Sequence, residues 1–403
     1  MCSCLRRPAV LVRAFALSLL LSLASAVPPQ SIAAPAVVAR MGSVDLGILA
    51  ETTPVVWRDA LWLMECIQGG RYYGNINSAT YPNQPQPSGY LRFTNVVTGE
   101  HTKPFAEGYG LANALVLGGR MYVFATVTPF AISSNNTLVA TFWSDDLTHW
   151  QRSIALRAEQ PNVFPPAVTA RKLYNTNVRQ VPDDDEEARI SANNATFVMA
   201  YEFNEPGVGW QTGFAQTHDS DLRKASWECL PRPAFTSSFA RYAHANPTLR
   251  YGKDGWWYLL STRRTNSSSL GSGEKKEVMV QDVLRTKDIT KFEWESPASW
   301  RPDVVTQGTF LAPSHEDQLP LRNDWHPDTQ PVVRGHAVAL AKAENDNVSD
   351  LDMCTITLPD GRPATLMYYA WGNQELGPTA MVLSMAMVKG QTEEEVLAAH
   401  FAK

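Results

Sequence analysis

Two short acidic segments have the residue types for proton chemistry. In Tyr201-Glu202-Phe203-Asn204-Glu205-Pro206-Gly207, strand alternation puts Glu202 on one face with Val198 and Ala200. Apolar neighbours disfavour the charged carboxylate and raise its pKa, which is what a proton donor working near neutral pH requires. Glu202 is therefore the first candidate acid and Glu205 the second. Ser349-Asp350-Leu351-Asp352 supplies two further carboxyls, at Asp350 and Asp352.

Five polar loops surround these segments in the sequence reading: Glu51-Thr52-Thr53-Pro54, Gly110-Leu111-Ala112-Asn113, Ser191-Ala192-Asn193-Asn194, Tyr242-Ala243-His244-Ala245-Asn246-Pro247-Thr248, and Asn347-Val348-Ser349-Asp350-Leu351-Asp352. Their mix of neutral donors and acceptors suits a hydroxyl-rich ligand. Asn113, His244 and Asn246 are the ligand-binding candidates, with a hydrogen bond to a neighbouring element the competing role for His244. Twelve Trp residues are many for 403 residues. Trp57, Trp62, Trp210, Trp256, Trp257 and Trp371 fall on or beside the strands that would carry these loops. Most are expected to pack, and one or two to offer a face on which a sugar ring stacks. Trp57 and Trp371 are the nominees, and Asn373, just after Trp371-Gly372, either faces the ligand or turns the chain.

The elements that must position these groups announce themselves by repetition. Thr141-Phe142-Trp143-Ser144-Asp145-Asp146-Leu147-Thr148-His149-Trp150 reads as strand, tight polar turn and strand, because Ser and Asp side chains bond their own backbone two residues on. Looser copies occur at Thr217-His218-Asp219-Ser220-Asp221-Leu222 before Trp227, and at Arg285-Thr286-Lys287-Asp288-Ile289-Thr290 before Phe292 and Trp294. An apolar strand precedes each copy: Leu117–Phe124, Thr196–Tyr201 and Gly255–Leu260. Two more such strands, Val55–Glu65 and Ala364–Trp371, bring the number of units to five. Sheets repeated without helices between them cannot cover their own faces and must stack on their neighbours. The expectation is an all-β chain: a five-bladed β-propeller of four-stranded antiparallel blades. The period of roughly 60 to 80 residues is too long for WD40 blades. Thr392 followed by Glu393, Glu394 and Glu395 starts a short closing helix. Residues 301–345 read as an irregular segment capping one end.

Ser144-Asp145-Asp146-Leu147-Thr148-His149-Trp150 resembles the recurring Ser-x-Asp-Leu-x-x-Trp turn of the five-bladed propeller glycoside hydrolases, the arabinanase, xylosidase and invertase-like superfamily. Asn246-Pro247-Thr248-Leu249-Arg250-Tyr251 followed by Gly255-Trp256-Trp257-Tyr258 resembles their blade opening. The likeness covers most of the chain after residue 26 at the level of architecture. It implies cleavage of an oligosaccharide or glycoside by two carboxyls, one protonating the leaving oxygen and the other attacking the sugar or activating water. By this resemblance Glu202 becomes the general acid. The superfamily's first-blade Asp-Pro is replaced here by Thr53-Pro54, with Glu51 two residues earlier, and Asn113 opens the second blade without an Asp. The base then falls to Asp350 or Asp352.

The start of the chain gives its address. Arg6, Arg7 and Arg13, an apolar run from Ala14 to Leu23 and Ala24-Ser25-Ala26 follow the order of a secretory signal peptide cleaved after Ala26. The expected organisation is a signal peptide over 1–26, a lead-in of irregular chain or early strand over 27–50 and one propeller domain over 51–403. No later run is long enough to span a bilayer, so no membrane contact is expected after signal removal. Secretion makes the sequons at Asn135, Asn194, Asn266 and Asn347 candidate glycosylation sites. Cys66, Cys229 and Cys354 allow at most one internal disulfide. A net charge of −5 with no basic stripe argues against nucleic acid as a partner. No cofactor is expected, although Asp183-Asp184-Asp185-Glu186-Glu187 is either a solvated loop or a calcium site.

Three functions fit: a secreted glycoside hydrolase; a non-catalytic carbohydrate-binding propeller, which the missing Asp-Pro favours; and a protein-interaction propeller, which would present an exposed apolar or charged end face without a deep pocket.

Overall fold

The computed structural model describes residues 38–44, 52–67, 89–127, 137–158, 172–205, 209–231, 233–234, 244–266, 277–298, 308–318, 345–372 and 381–402. In chain order these form β1 (Ala39–Val44), β2 (Thr52–Trp57), β3 (Ala60–Ile67), β4 (Tyr90–Asn95), β5 (Tyr109–Leu117), β6 (Arg120–Val127), β7 (Leu138–Ser144), β8 (Gln151–Arg157) and β9 (Lys172–Gln180). Then come α1 (Glu186–Ser191), β10 (Phe197–Glu205), β11 (Gly209–Thr217), β12 (Glu228–Cys229), β13 (His244–Tyr251), β14 (Trp257–Asn266) and β15 (Glu277–Thr286). The chain closes with β16 (Asn347–Thr357), β17 (Pro363–Gly372), β18 (Met381–Lys389) and α2 (Glu393–Phe401).

Neighbouring strands pair antiparallel as β2-β3-β4, β5-β6-β7-β8 and β9-β10-β11-β12. A fourth sheet runs β1-β18-β17-β16-β15-β14-β13, and within it β15 meets β16 only through the parallel pair Met279 and Asn347. It is thus two antiparallel groups, β13-β14-β15 and β16-β17-β18-β1, joined at one point. β1 decides between the two readings of the lead-in: it is a strand, paired with β18 from Ala39 opposite Met387 to Val44 opposite Leu383.

Apolar clusters fill the spaces between successive groups. Val55, Phe93 and Phe105 pack on Phe142 and Met121. Phe124 and Leu156 pack on Phe197 and Tyr201, and Phe214 and Val198 on Trp257 and Leu284. Tyr258 and Val283 meet Tyr369 and Met353, while Leu63 and Val96 meet Tyr368 and Met385. Burying one such large apolar side chain is worth about 2 kcal/mol, so each interface is a strong joint. Strands β6, β10, β14 and β17 are second in their groups and largely buried, which is why the sequence shows apolar runs such as residues 257–260 and 366–371 within them.

The fifth run does not form one strand. Val55–Glu65 is not a single strand but a hairpin, turned at Arg58 and Asp59 with φ of 50° and 61°. Its turn lacks the glycine that usually marks this geometry, so the apolar pattern ran through it. The third unit also starts earlier than its apolar run suggested: its first strand is β9, and Ser191 and Asn193 belong to the end of α1 and the turn after it.

The repeated turns form as their side chains dictate. Asp146 accepts the backbone N–H groups of Thr148 and His149, each at 2.8 Å. Asp219 accepts the Ser226 N–H at 2.7 Å, and Asp288 the Thr290 N–H at 2.9 Å. The aliphatic residue of each copy, Leu147, Leu222 or Ile289, is buried.

The acidic run folds onto α1, where Asp185 caps the helix by accepting the Ala188 N–H at 2.9 Å and accepts the Tyr251 hydroxyl at 3.0 Å. Among the described residues no three acidic, His or Cys side chains group into a metal site. Thr392 and Glu395 close a capping box on α2. Cys66, Cys229 and Cys354 are buried in three different groups of strands and form no disulfide with one another. Of the sequon asparagines with described side chains, Asn194 is exposed and Asn347 is buried.

Candidate functional site

The first strands of the five groups are neighbours. β5 lies against β2 and β9, β9 against β13, and β16 against both β13 and β2. Four of the groups share one irregularity near the start of the first strand. β5 bulges between Gly110 and Asn113, β13 between Ala245 and Thr248, and β16 between Ser349 and Asp352; in the third group the register shifts where Asn175 leaves the ladder between Tyr174 and Thr176. The bulged residues Leu111, Asn246 and Asp350 have φ of 51°, 52° and 56°. Non-glycine residues adopt this conformation at a cost of about 1 to 3 kcal/mol, and such outliers gather where a chain re-aims side chains for function.

Glu202 stands opposite Tyr174 beside this bulge and is 4 % exposed. One of its oxygens accepts the backbone N–H of Asn246 at 2.8 Å and the side-chain amide of Asn175 at 3.0 Å. Burial drives its pKa up to about 8, against the Asn246 hydrogen bond and with help from the negative charge of Asp350. Asp350 arrives from a different group of strands. Its Oδ2 accepts the Ser349 hydroxyl at 2.5 Å, and burial raises its pKa to about 7. Tyr174 feels the Glu202 charge as well. Burial and that charge push its phenol to about 12, and its ring meets Trp210 edge-on at 4.6 Å.

The remaining candidates divide by their contacts. Asn246 reaches Glu202 through its backbone N–H, and its side-chain amide donates to the Thr262 hydroxyl at 3.4 Å. His244 is buried two residues away with Nδ1 2.8 Å from the Ser261 hydroxyl, and burial followed by the Arg263 charge lowers its pKa to about 3, so it stands neutral. Asn113 is buried and bonds two other strands, its Oδ1 accepting the Val178 N–H on β9 at 3.1 Å and its Nδ2 donating to Asp352 on β16 at 3.0 Å. Asp352 is held there by Arg250 at 2.9 Å. Trp57 donates to the Gly119 carbonyl at 2.9 Å and packs on Trp62, and Trp371 is fully buried. The side chain of Glu205, and all of Glu51 and Asn373, lie outside the described residues. The first group's buried carboxyl, Glu65, is paired with Arg92 and accepts the Thr94 hydroxyl at 2.6 Å.

Tyr174 and Asn175 escaped the sequence reading because Lys172-Leu173-Tyr174-Asn175-Thr176-Asn177 is polar and follows a Pro-rich connection. Its one usable signal was the β-favourable Tyr and Thr ahead of Val178.

Two raised carboxyls make a prediction about stability. Between pH 4.5 and 8 the folded state holds a proton on Glu202 that the unfolded state has released, so stability falls as pH rises through this window. Glu202→Gln removes that loss. The variant should melt about 3 °C above wild type near pH 8, an effect of about 2 kcal/mol or more, and equal to it near pH 4, as read by calorimetry at the two pH values. An equal melting point at both would show Glu202 to titrate as an ordinary carboxyl.

No known family profile and no curated protein matches the chain. Solved structures do: one described as a glycoside hydrolase superposes with a TM-score of 0.51 at 10% identity, covering 88% of this chain and 92% of that one. An α-L-arabinofuranosidase from Fusarium graminearum, in complex with an iminosugar inhibitor, gives 0.46 at 10% identity over 87% and 97%. An α-L-arabinanase from Penicillium chrysogenum, complexed with arabinobiose, gives 0.44 at 9% over 88% and 97%. At such identities the likeness is one of fold, and the fold is one that glycoside hydrolases use.

Proposed function

We propose that this protein is a secreted glycoside hydrolase built as a five-bladed β-propeller, cleaving an oligosaccharide or glycoside with Glu202 and Asp350. The observation that carries the proposal is the convergence of these two carboxyls, from β10 and β16, close enough for the charge of one to raise the pKa of the other. Glycoside cleavage needs such a pair, one carboxyl protonated and one ionised. Burial raises the pKa of both carboxyls; the resemblance gives Glu202 the proton for the leaving oxygen, which leaves Asp350 to serve the anomeric carbon or its water. Asn175 and Asn246 orient Glu202, and Tyr174 with Trp210 forms an aromatic wall beside it. Asp352 and Asn113, bound to one another, hold the ring of first strands. Closure of the five groups into a propeller is supported by the five apolar interfaces and by the pairing of β1 with β18.

A non-catalytic carbohydrate-binding propeller is the second reading, favoured by Thr53-Pro54 in place of the superfamily's Asp-Pro, with Thr53 buried. A panel of aryl glycosides and polysaccharide-derived oligosaccharides separates the two. The hydrolase reading expects release of aglycone or reducing ends by the purified protein. Glycan-array binding without any release would move the conclusion to the second reading.

A further inference from the structure

Two residues beyond Asp350, Asp352 is tied to several elements at once. Its Oδ2 accepts from Asn113 on β5 at 3.0 Å, and its Oδ1 accepts from Arg250 on β13 at 2.9 Å and from the Met353 N–H at 2.8 Å. Arg179 on β9 stands 3.8 Å away. The same Arg250 nitrogen donates to the Met353 carbonyl at 2.6 Å, and the Nε of Arg250 pairs with Glu393, the first residue of α2. Glu393 accepts the Thr355 N–H at 3.2 Å, while its own N–H donates to the Thr355 hydroxyl at 3.0 Å. Thr248 donates its hydroxyl to the Leu351 carbonyl at 2.8 Å. The segment from Leu351 to Thr355 is thus gripped by β5, β13 and α2 immediately after the left-handed residue Asp350.

Four charges, Arg179, Arg250, Asp352 and Glu393, balance in this largely dry place. Buried ion pairs add little net stability compared with apolar packing, so the arrangement is better explained by the geometry it fixes. A non-glycine residue with positive φ persists only when its surroundings over-determine it, and Asp350 is such a residue. We infer that the Arg250–Asp352–Glu393 bridge is a positioning device through which the C-terminal helix holds the β16 bulge and aims the Asp350 carboxyl into the site. The inference rests on the reading of Asp350 as a reacting carboxyl. It gives α2 a task beyond covering apolar surface: Asp350 is aimed only while Glu393 is docked.

Glu393→Gln in the full chain tests this, because it keeps the size of the side chain and one acceptor for Arg250 while removing the balancing charge. Backbone hydrogen exchange over residues 347–357 should accelerate by about tenfold or more, with no change at the turn over residues 144–150. In the kinetics, kcat should fall about tenfold with KM within twofold, since a misplaced reacting group weakens the chemical step. The pH limb set by Asp350 should move to lower pH, because a loosened bulge admits water to the carboxyl. Glu393→Asp should restore part of each change, and Arg250→Lys, which keeps the charge but loses the fork, should show the same local signature. A merely stabilising bridge would give a lower melting temperature, faster exchange spread over the whole domain and an unmoved pH limb. That pattern overturns the inference, as does wild-type exchange at 347–357 in both Glu393→Gln and Arg250→Lys. If wild type hydrolyses nothing, the hydrolase reading fails on its own, and the exchange data still decide whether the bridge holds the bulge.

Discussion

Glu202→Gln is expected to reduce kcat by about 10² to 10⁴ while leaving the fold intact, the range that removal of a general acid or base produces. Asp350→Asn should cost a comparable factor. The pH dependence sharpens the expectation. In the proposed mechanism activity requires Glu202 protonated and Asp350 ionised, and burial raises both pKa values, to about 8 and about 7, which places the productive state near neutral pH. The acid limb follows Asp350 and the alkaline limb follows Glu202, although the two limbs belong to the interacting pair and not strictly to either residue. Residual activity in Asp350→Asn should therefore show its alkaline limb shifted down, because the negative charge that helped raise Glu202 has gone. Profiles of kcat/KM from about pH 5 to 10, with circular dichroism confirming the fold, provide the check. An alkaline limb that stays in place in Asp350→Asn would mean the two carboxyls do not share a site, and the two-carboxyl mechanism would be abandoned.

How far these acids were legible in the sequence depended on which face of which strand they occupy. Glu202 was visible because β10 is buried on both sides, so a single carboxyl among Val198, Ala200 and Phe203 stands out. Asp350 was visible as an acid in a polar loop, but its separation in role from Asp352 was not. Only the bulge between Ser349 and Asp352, which no local residue type announces, sends Asp350 toward Glu202 and leaves Asp352 to Asn113 and Arg250. The hairpin turns were readable because their Ser, Thr and Asp side chains bond locally, within two or three residues. β9 and β1 were harder. β9 carries Asn175, Thr176 and Asn177 into contact with β10, β6 and β13, where polar side chains bond neighbouring strands, so its hydrophobic pattern is weak. β1 finds its partner β18 more than three hundred residues later, a pairing invisible to any local pattern.

The largest effect on stability is expected from Asp282→Asn. Asp282 on β15 and Arg263 on β14 form an ion pair with both side chains fully buried. Removing one partner strands the other charge in a medium of low dielectric, which costs about 3 to 5 kcal/mol. In a domain of this size that lowers the melting temperature by about 5 °C. Replacing both, as Arg263→Met with Asp282→Leu, should recover most of the loss, because an apolar pair of similar volume avoids the desolvation of two charges. The pair also bears on the candidate site. Arg263 stands opposite His244, and its charge is the second cause, after burial, of the low His244 pKa. Between about pH 3 and 6.5 the unfolded chain binds a proton at His244 that the folded protein refuses, so wild-type stability falls as pH drops through this window, opposite in sign to the Glu202 effect. Without Arg263 the imidazole accepts a proton more readily, so the double variant should lose less stability than wild type between pH 6.5 and about 4. Urea denaturation at the two pH values measures both claims. A single variant as stable as wild type would show water reaching the pair, and an unchanged acid slope in the double variant would show that burial alone keeps His244 neutral.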